Sequence, residues 1–217
     1  MAQKLISIML VEDHQLVSQG MSMLINAQGD MNVVYQCASV NHAKQYLQSD
    51  ADKVDVVIVD ISLDGVSGFE LIKWLRLHHS YLPALAISMH DELLYAERAI
   101  QTGARGYIMK QEASDKVIHG IRAVHNGETV LSEAIRSKIE SPDGSGNNSL
   151  IDSLTYCEYE VFQLLAQGKS TSEIARLNSR SVKTIEAHRA NIRKKLGLPD
   201  GNALMRYAIK VHSEGDT

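Results

Sequence analysis

The sequence predicts an α/β domain, a doubly wound parallel sheet of five β/α units, followed by a small all-α domain. Over about the first 125 residues, short apolar runs alternate with amphipathic stretches. The runs are continuously apolar, which is typical of strands that are buried on both faces. After residue 150, Ser or Thr followed three residues later by Glu marks the start of a helix twice.

The predicted strands and helices of the first domain follow one another in alternation. The helices have apolar residues at spacings of three and four, which indicates one buried face. The predicted strands are Leu5–Val11, Val33–Ala38, Val54–Asp60, Ala84–Ser88 and Tyr107–Met109. The predicted helices are Leu16–Ile25, Ala43–Leu47, Phe69–Leu77, Leu94–Thr102 and Lys116–His125. Ligands of such sheets bind at the carboxyl ends of the strands, so functional residues are expected there.

A segment without large apolar side chains separates the two predicted domains. Residues 141–149 are Ser-Pro-Asp-Gly-Ser-Gly-Asn-Asn-Ser, a composition that is typical of a flexible linker. We therefore predict a first domain over residues 1–128, a linker over 129–150 and a second domain over 151–217. A chain of 217 residues is long enough for two such domains.

Composition and charge exclude several classes of protein. No apolar run approaches the ~20 residues that a membrane-spanning helix needs, so we expect no membrane partner. The two cysteines, Cys37 and Cys157, fall in different predicted domains, which fits a reducing, cytoplasmic setting. The net charge is −4, yet residues 169–196 contain eight Lys and Arg against two Glu. A basic stretch on an otherwise acidic chain indicates a nucleic-acid contact confined to one end.

Charged and hydroxyl side chains follow four of the predicted strands. If the first strand is central, Glu12 and Asp13 after it meet Asp60 at the end of the third strand. Three neighbouring carboxylates repel one another unless a hard cation joins them, and Mg²⁺ binds carboxylates together with phosphate oxygens. Lys110 after the fifth strand supplies a positive charge for a phosphate, and Ser88 after the fourth supplies a hydroxyl. The combination predicts phosphoryl chemistry at Asp60.

These residues, with the runs Ser88-Met-His-Asp-Glu and Gly103-Ala-Arg-Gly-Tyr-Ile-Met-Lys110, resemble the receiver domain of two-component response regulators of the NarL/FixJ branch over roughly residues 4–126. The resemblance implies a flavodoxin-like (βα)5 fold in which Asp60 accepts a phosphoryl group from a sensor histidine kinase. It implies Mg²⁺ ligands in Glu12, Asp13, Asp60 and the backbone carbonyl of Ser62. It also implies a switch hydroxyl in Ser88, an aromatic switch in Tyr107 and a phosphate partner in Lys110. The chain departs from the family at Asp64, where Pro is usual, so this loop is expected to be less rigid.

Helix signals follow one another after the predicted linker. Thr155 with Glu158 and Ser170 with Glu173 form predicted capping boxes for the first two helices. Ser181 caps a longer helix over Val182–Leu196 that ends at Gly197, and a last helix spans about Asn202–Val211. A short helix, a tight turn and a longer basic helix predict a helix-turn-helix whose second helix enters a major groove. The predicted buried face of that second helix consists of Val182, Ile185, Ile192 and Leu196, and His188 is open between packing and a DNA contact.

About residues 152–212 resemble the LuxR/FixJ-type DNA-binding domain, in motifs such as Glu173-Ile174-Ala175 and Lys183-Thr184-Ile185-Glu186. Tyr156-Cys157 replaces the Pro-Arg that the family usually has. One such domain buries too little surface for strong specificity, so we expect a homodimer on inverted half-sites of promoter DNA, with RNA polymerase as a further partner. The resemblance implies phosphate contacts by Lys183, Thr184, Arg189 and Lys195, and groove contacts by Glu186, Ala187 and Ala190.

Two alternatives stay open beside a phosphorylation-controlled transcription regulator. One is a phosphorylation-independent transcription factor whose receiver serves for dimerisation or docking, which the complete acidic pocket disfavours. The other is a phosphatase of the haloacid dehalogenase type, which needs a second Asp two residues after the first. This chain has Ser62 at that position, so we expect a protein that is not an enzyme.

Overall fold

The computed structural model describes residues 5–63, 66–89, 92–112, 114–140, 151, 154–178 and 180–215. The chain divides into two compact units, Met1–Ser145 and Gly146–Thr217. The described part of the first unit is an α/β structure, and that of the second consists of helices, as predicted. Within the described ranges, no helix has the length and apolar character needed to cross a membrane.

The first unit is built on a five-stranded parallel sheet with the strand order β2-β1-β3-β4-β5. Its strands are β1 (Ile6–Val11), β2 (Met31–Cys37), β3 (Val56–Asp60), β4 (Ala84–Ser88) and β5 (Gly106–Met109). All five predicted strands are confirmed, with ends that differ by no more than two residues. β1 lies inside the sheet, but β3 and not β1 occupies the middle position. Because β1 and β3 are neighbours from opposite halves of the winding, their carboxyl ends form the switch point of the sheet.

Helices cover both faces of this sheet and account for the continuously apolar strands. Every residue of β3 and β4 is buried. The five helices that connect or follow the strands confirm the predicted ones and extend each of them: α1 (Gln15–Asn26), α2 (Val40–Asp50), α3 (Gly68–His78), α4 (Glu92–Thr102) and α5 (Ser114–His125). The apolar core joins strand residues such as Ile8, Ile58 and Leu85 to Ile121 of α5.

A sixth helix, α6 (Glu133–Glu140), lies within the segment that the sequence predicted as linker. The chain before it runs beside β5, where the Tyr107 N–H donates to the Val130 carbonyl at 3.0 Å. α6 then packs against α4, and Ile135 is fully buried. The short helix has too few apolar residues for periodicity to predict it, and its partner α4 is distant in sequence. The predicted linker residues 141–150 lie outside the described residues.

The second unit contains α7 (Tyr156–Ala166), α8 (Thr171–Leu177), α9 (Val182–Leu196) and α10 (Gly201–Gly215). Both predicted capping boxes are present, Ser181 caps α9, and α9 ends at Gly197 with a φ of +66°. The prediction that Val182 belongs to the buried face is wrong, because its side chain is 44% exposed while Ile185 and Ile192 are buried. Val182 is the first residue of α9 and lies about one turn beyond the part of the helix that the core covers.

Gly68 allows α3 to begin directly against the end of β3. Its N–H donates to the Ile61 carbonyl at 3.1 Å. A Cβ atom at this position would lie 2.1 Å from the Asp60 carbonyl oxygen and 2.9 Å from Cγ1 of Val59. Since both obstacles belong to the buried strand that ends in Asp60, they have little room to move.

We therefore expect Gly68→Ala to lower the free energy of unfolding of the first unit by about 1–3 kcal/mol, because the added methyl group displaces α3 from β3. Gly20→Ala is the matched control, since Gly20 lies within α1 and a Cβ atom added there would have nothing within 4 Å. The control is expected to raise stability by about 0.5–1 kcal/mol through better helix propensity. Urea unfolding followed by Trp74 fluorescence and circular dichroism measures both. Equal effects of the two substitutions would contradict the close approach at Gly68.

Candidate functional site

The carboxyl edge of the sheet brings together the acidic residues that the sequence singled out. Glu12 follows β1 and is 2% exposed, and Asp60 ends β3 and is fully buried. Carboxylate oxygens of Glu12, Asp13 and Asp60 and a ring nitrogen of His14 all lie within 4.8 Å of one another. The predicted convergence of Glu12, Asp13 and Asp60 is therefore observed at the switch point between β1 and β3.

The ammonium group of Lys110 lies between two of these carboxylates. Its Nζ atom is 2.8 Å from Oδ2 of Asp60 and 2.5 Å from Oε2 of Glu12. The other oxygen of Asp60, Oδ1, accepts a hydrogen bond from the Ser62 N–H at 3.0 Å. Burial alone would lower the pKa of Lys110, but the charges and hydrogen bonds of Asp60 and Glu12 raise it above its usual value. Lys110 is therefore charged, and it shares its one charge between two buried carboxylates.

The donor atoms at this edge fit a hard divalent cation. Asp60, Glu12 and Asp13 offer carboxylate oxygens, which are the ligands that Mg²⁺ prefers. One lysine does not balance three carboxylates, so the pocket keeps a net negative charge that a cation would offset. Oxygen ligands and excess negative charge therefore both favour occupation by Mg²⁺.

His14 belongs to this cluster, and sequence reasoning missed it. It precedes α1, its N–H donates to Oε1 of Glu12 at 3.0 Å, and its Nδ1 atom lies 2.9 Å from Oδ1 of Asp13. The imidazole is 69% exposed. Its position directly after Asp13 was the available signal, but a histidine after a strand is common in turns. His14 is the most exposed member of the cluster.

Ser88 and Tyr107 occupy the next two strands, and both are buried. β3 and β4 pair with Asp60 opposite Ile87, which places Ser88 one residue beyond the level of Asp60. The Lys110 N–H donates to the Ser88 carbonyl at 2.7 Å and joins the ends of β4 and β5. Tyr107 is 2% exposed. The departure at Asp64 lies outside the described residues.

In the second unit, α9 presents an exposed face opposite its buried residues. At 100° per residue, the members of this face fall within an arc of about 100°. Four of them were predicted to contact DNA, and the fifth, Lys194, continues the spacing of three and four that begins at Lys183. The five exposed residues are Lys183, Glu186, Ala187, Ala190 and Lys194. The family resemblance pointed to Lys195 and not to Lys194, although the spacing from Lys183 places Lys194 on this face.

The other three predicted DNA contacts of α9 make hydrogen bonds within the second unit. The Thr184 hydroxyl lies 2.8 Å from that of Ser181, and Arg189 Nη1 donates to the Thr171 hydroxyl of α8. Nζ of Lys195 lies 2.6 Å from Oε2 of Glu158, which is 3% exposed. The contacts of Arg189 and Lys195 join α9 to α8 and α7, and that of Thr184 lies within the N-terminal cap of α9.

His188 is half-buried in the second unit. Burial and the charge of Arg180 lower its pKa, although the charge of Glu158 opposes them. This environment favours a neutral, packed imidazole over a DNA contact.

An acidic edge on a five-stranded parallel sheet and a helix-turn-helix define a response regulator, and comparisons with known proteins agree. Residues 8–122 match the response regulator receiver domain, and residues 152–208 match the bacterial regulatory proteins of the luxR family. The chain belongs to this family and is a DNA-binding response regulator of a two-component system.

Relatives extend over almost the whole chain. The oxygen regulatory protein NreC of Staphylococcus carnosus is 32% identical over 213 residues, which are 94% of this chain and 96% of NreC. The Fimbriae Z protein of Escherichia coli K12 is 30% identical over 202 residues, 93% of this chain and 95% of that protein. The structure of the RcsB response regulator of Salmonella typhimurium has a TM-score of 0.57 at 25% identity and covers 94% of this chain and 98% of its own. A LuxR-family response regulator of Aurantimonas has a TM-score of 0.57 at 28% identity over 62% of this chain and 94% of its own.

Two glutamates of α7 have pKa values that are shifted in opposite directions. Burial raises the pKa of Glu160 to about 7, against a smaller opposing effect of Arg180. Burial also tends to raise the pKa of Glu158, but the hydrogen bonds from Lys195 and Thr155 outweigh it and the pKa is lowered. Between about pH 4.5 and 7 the folded protein therefore holds a proton at Glu160 that the unfolded chain releases.

It follows that Glu160 weakens the second unit as the pH rises from about 4.5 to 7. We expect Glu160→Gln to match wild type near pH 4 and to exceed it at pH 8 by up to about 3 kcal/mol in the free energy of unfolding. Glu158→Gln is the contrasting variant, because its ionised form is the one that the fold stabilises, and its loss of stability is expected to be greatest at pH 8. Urea unfolding across this pH range measures both. A difference between wild type and Glu160→Gln that stays constant with pH would contradict the assignment.

Proposed function

We propose that Asp60 accepts a phosphoryl group from a sensor histidine kinase and that this modification controls DNA binding by α9. The observation that supports the proposal is the pocket itself, a fully buried aspartate with Lys110 at 2.8 Å and two further acidic residues beside it. A buried carboxylate of purely structural use would need one cation and no neighbouring acids. Here the carboxylates outnumber Lys110, which suits a divalent cation, and that cation together with Lys110 would offset the charge of a phosphoryl group.

The proposed Mg²⁺ ligands are Glu12, Asp13, Asp60 and the backbone carbonyl of Ser62. When bound, Mg²⁺ neutralises charge on the transferring phosphoryl oxygens and orients them. Lys110 supplies the fixed positive charge on the opposite side, because its ammonium already lies against Asp60. The Ser62 N–H holds Oδ1 of Asp60 and so orients the carboxylate before the reaction.

In the proposed step, a carboxylate oxygen of Asp60 attacks the phosphorus of a phosphohistidine. A P–O bond forms, the P–N bond breaks, and the imidazole that leaves takes up a proton from solvent. The product is an acyl phosphate with a charge of roughly −1.5 to −2. Lys110 then pairs with a phosphoryl oxygen in place of the carboxylate, and Ser88 offers its hydroxyl to the same group.

The proposed path from the pocket to the remainder of the chain uses Tyr107 and α6. Tyr107 belongs to β5, and its N–H bonds the Val130 carbonyl of the segment that leads into α6. α6 itself packs against α4, the helix that follows Ser88. A rearrangement of Ser88 and Tyr107 is therefore expected to change how α6 is held. A bias of a few kcal/mol between two such arrangements would suffice to change the dominant state.

For DNA recognition, we propose that a homodimer places two copies of α9 in successive major grooves of inverted promoter half-sites, with RNA polymerase as a further partner. A single unit of this size buries too little surface for strong specificity. Of the predicted contacts, Lys183, Glu186, Ala187 and Ala190 are exposed on one face. Thr184, Arg189 and Lys195 were predicted to contact phosphates; we expect Arg189 and Lys195 to act chiefly by holding α9 against α8 and α7, and Thr184 to contribute to the cap of α9.

Phosphorylation is tested by incubating the full chain with Mg²⁺ and acetyl phosphate and measuring its intact mass and its DNA affinity. We expect wild type to gain the mass of one phosphoryl group, and Asp60→Asn and Asp13→Asn to gain little, because they lack the acceptor and a metal ligand. Asp52→Asn, an exposed aspartate before β3, is the control that retains the gain. An equal gain in Asp60→Asn would refute the acceptor assignment. Full DNA binding without any gain in wild type would support the phosphorylation-independent alternative.

Alanine variants of two neighbouring lysines of α9, Lys194 and Lys195, distinguish a DNA contact from a structural contact. We expect Lys195→Ala to lower the free energy of unfolding by about 1–3 kcal/mol, since it leaves the Glu158 carboxylate buried without its cation. Lys194→Ala is expected to leave stability unchanged, to weaken DNA binding uniformly across sequences and to reduce the salt slope by about one. Urea unfolding and DNA titrations at several salt concentrations distinguish the two. A Lys195→Ala variant with full stability and a reduced salt slope would instead assign Lys195 to the phosphates.

A further inference from the structure

Glu186 is an exposed carboxylate in the middle of the most basic part of the chain. It is one of two glutamates among residues 169–196, and it lies on the face of α9 that also carries Lys183 and Lys194. Phosphate groups repel a carboxylate, so an acidic residue on a DNA-binding face weakens binding unless it gains a specific hydrogen bond.

Other acidic residues of this unit have a structural use. Glu158 pairs with Lys195, Glu173 completes the capping box with Ser170, and Asp200 accepts the Ala203 N–H at 2.7 Å at the start of α10. Among the described residues, Glu186 makes no ion pair or side-chain hydrogen bond, although Lys183 and Arg189 lie three positions away on either side. Arg189 is instead turned to Thr171 of α8. Nothing in the described part of this unit therefore requires a carboxylate at this position.

The neighbours of Glu186 allow it to approach base edges. Ala187 and Ala190 lie beside it on the exposed face, and their small side chains let the helix backbone lie close to the floor of a groove. Ile185 and Ile192 are buried on the opposite side and fix the rotation of α9 about its axis. Glu186 is the longest polar side chain of the first two turns of α9 on this face apart from Lys183, whose charge suits phosphates.

A carboxylate accepts hydrogen bonds and donates none, so it selects bases that present a donor in the major groove. Cytosine presents its N4 amino group, and adenine presents its N6 amino group beside the acceptor N7. The second oxygen of a carboxylate would be repelled by adenine N7, and guanine N7 and O6 and thymine O4 offer only acceptors. Cytosine is therefore the base that fits.

We propose that Glu186 accepts a hydrogen bond from N4 of a cytosine in each half-site and so determines the base at that position. The proposal rests on the proposed binding of α9 in the major groove and names one element of the sequence that it recognises.

The test is selection of bound duplexes from a randomised library by the full chain, in parallel for wild type, Glu186→Gln and Lys183→Gln. We expect wild type to enrich sites with one strongly preferred cytosine per half-site. For Glu186→Gln, we expect the preferred base at this position of the selected duplexes to be adenine, since an amide pairs with both N6 and N7 of adenine. The preference for cytosine is expected to fall by about tenfold. Lys183→Gln, the control, binds all sequences more weakly, with a salt slope reduced by about one and its base preferences retained.

Because Glu186 is exposed and makes no polar side-chain contact with the described residues, the variant is expected to show the thermal unfolding curve of wild type. A Glu186→Gln variant that folds and selects the same bases as wild type overturns the assignment of Glu186 and leaves the proposed function standing. Failure of wild type to select any site, with or without acetyl phosphate, overturns both.

Discussion

The functional site of the first unit is built on one ion-pair arrangement, in which two buried carboxylates, Asp60 and Glu12, share the single ammonium group of Lys110. Burial of charge is costly unless each group is paired and hydrogen-bonded, and a pocket with more acids than bases offsets that cost only partly. The sheet keeps these groups together because each lies at the carboxyl end of a different strand. The ends of β1 and β3 meet because these strands are adjacent in the sheet. The strand order therefore determines whether the site can form.

The same ion-pair arrangement explains how a small chemical change could act at a distance. A phosphoryl group on Asp60 would remove one partner of Lys110 and add negative charge where excess negative charge already lies. The structural change that follows phosphorylation would have to occur at the ends of the neighbouring strands. The interior of the sheet is packed too closely to deform gradually. Under the proposed function, Tyr107 of β5 would pass such a change to the segment that leads into α6, since its N–H donates to the Val130 carbonyl.

Sequence alone was sufficient wherever the signal was local or was set by strand ends. The five strands, the two capping boxes and the convergence of Glu12, Asp13 and Asp60 were all predicted and are observed. What sequence missed depends on tertiary partners. α6 packs against α4, and the contacts of Arg189 with Thr171 and of Lys195 with Glu158 join residues of different helices. Val182 fits the apolar spacing of α9 but lies beyond the core, a fact that spacing does not encode.

The small number of cations on the exposed face of α9 bears on what the proposed homodimer would gain on DNA. Arg189 and Lys195 contact Thr171 and Glu158 within the unit, and Lys183 and Lys194 are the cations of the exposed face of α9. A single copy with about two phosphate contacts would bind weakly and with a shallow salt dependence of roughly −2. Two copies held on one DNA double that slope and add the second set of groove contacts at high effective concentration. A modification that shifts only the monomer–dimer balance would therefore change occupancy of a promoter steeply, without altering a single residue of the DNA-binding face.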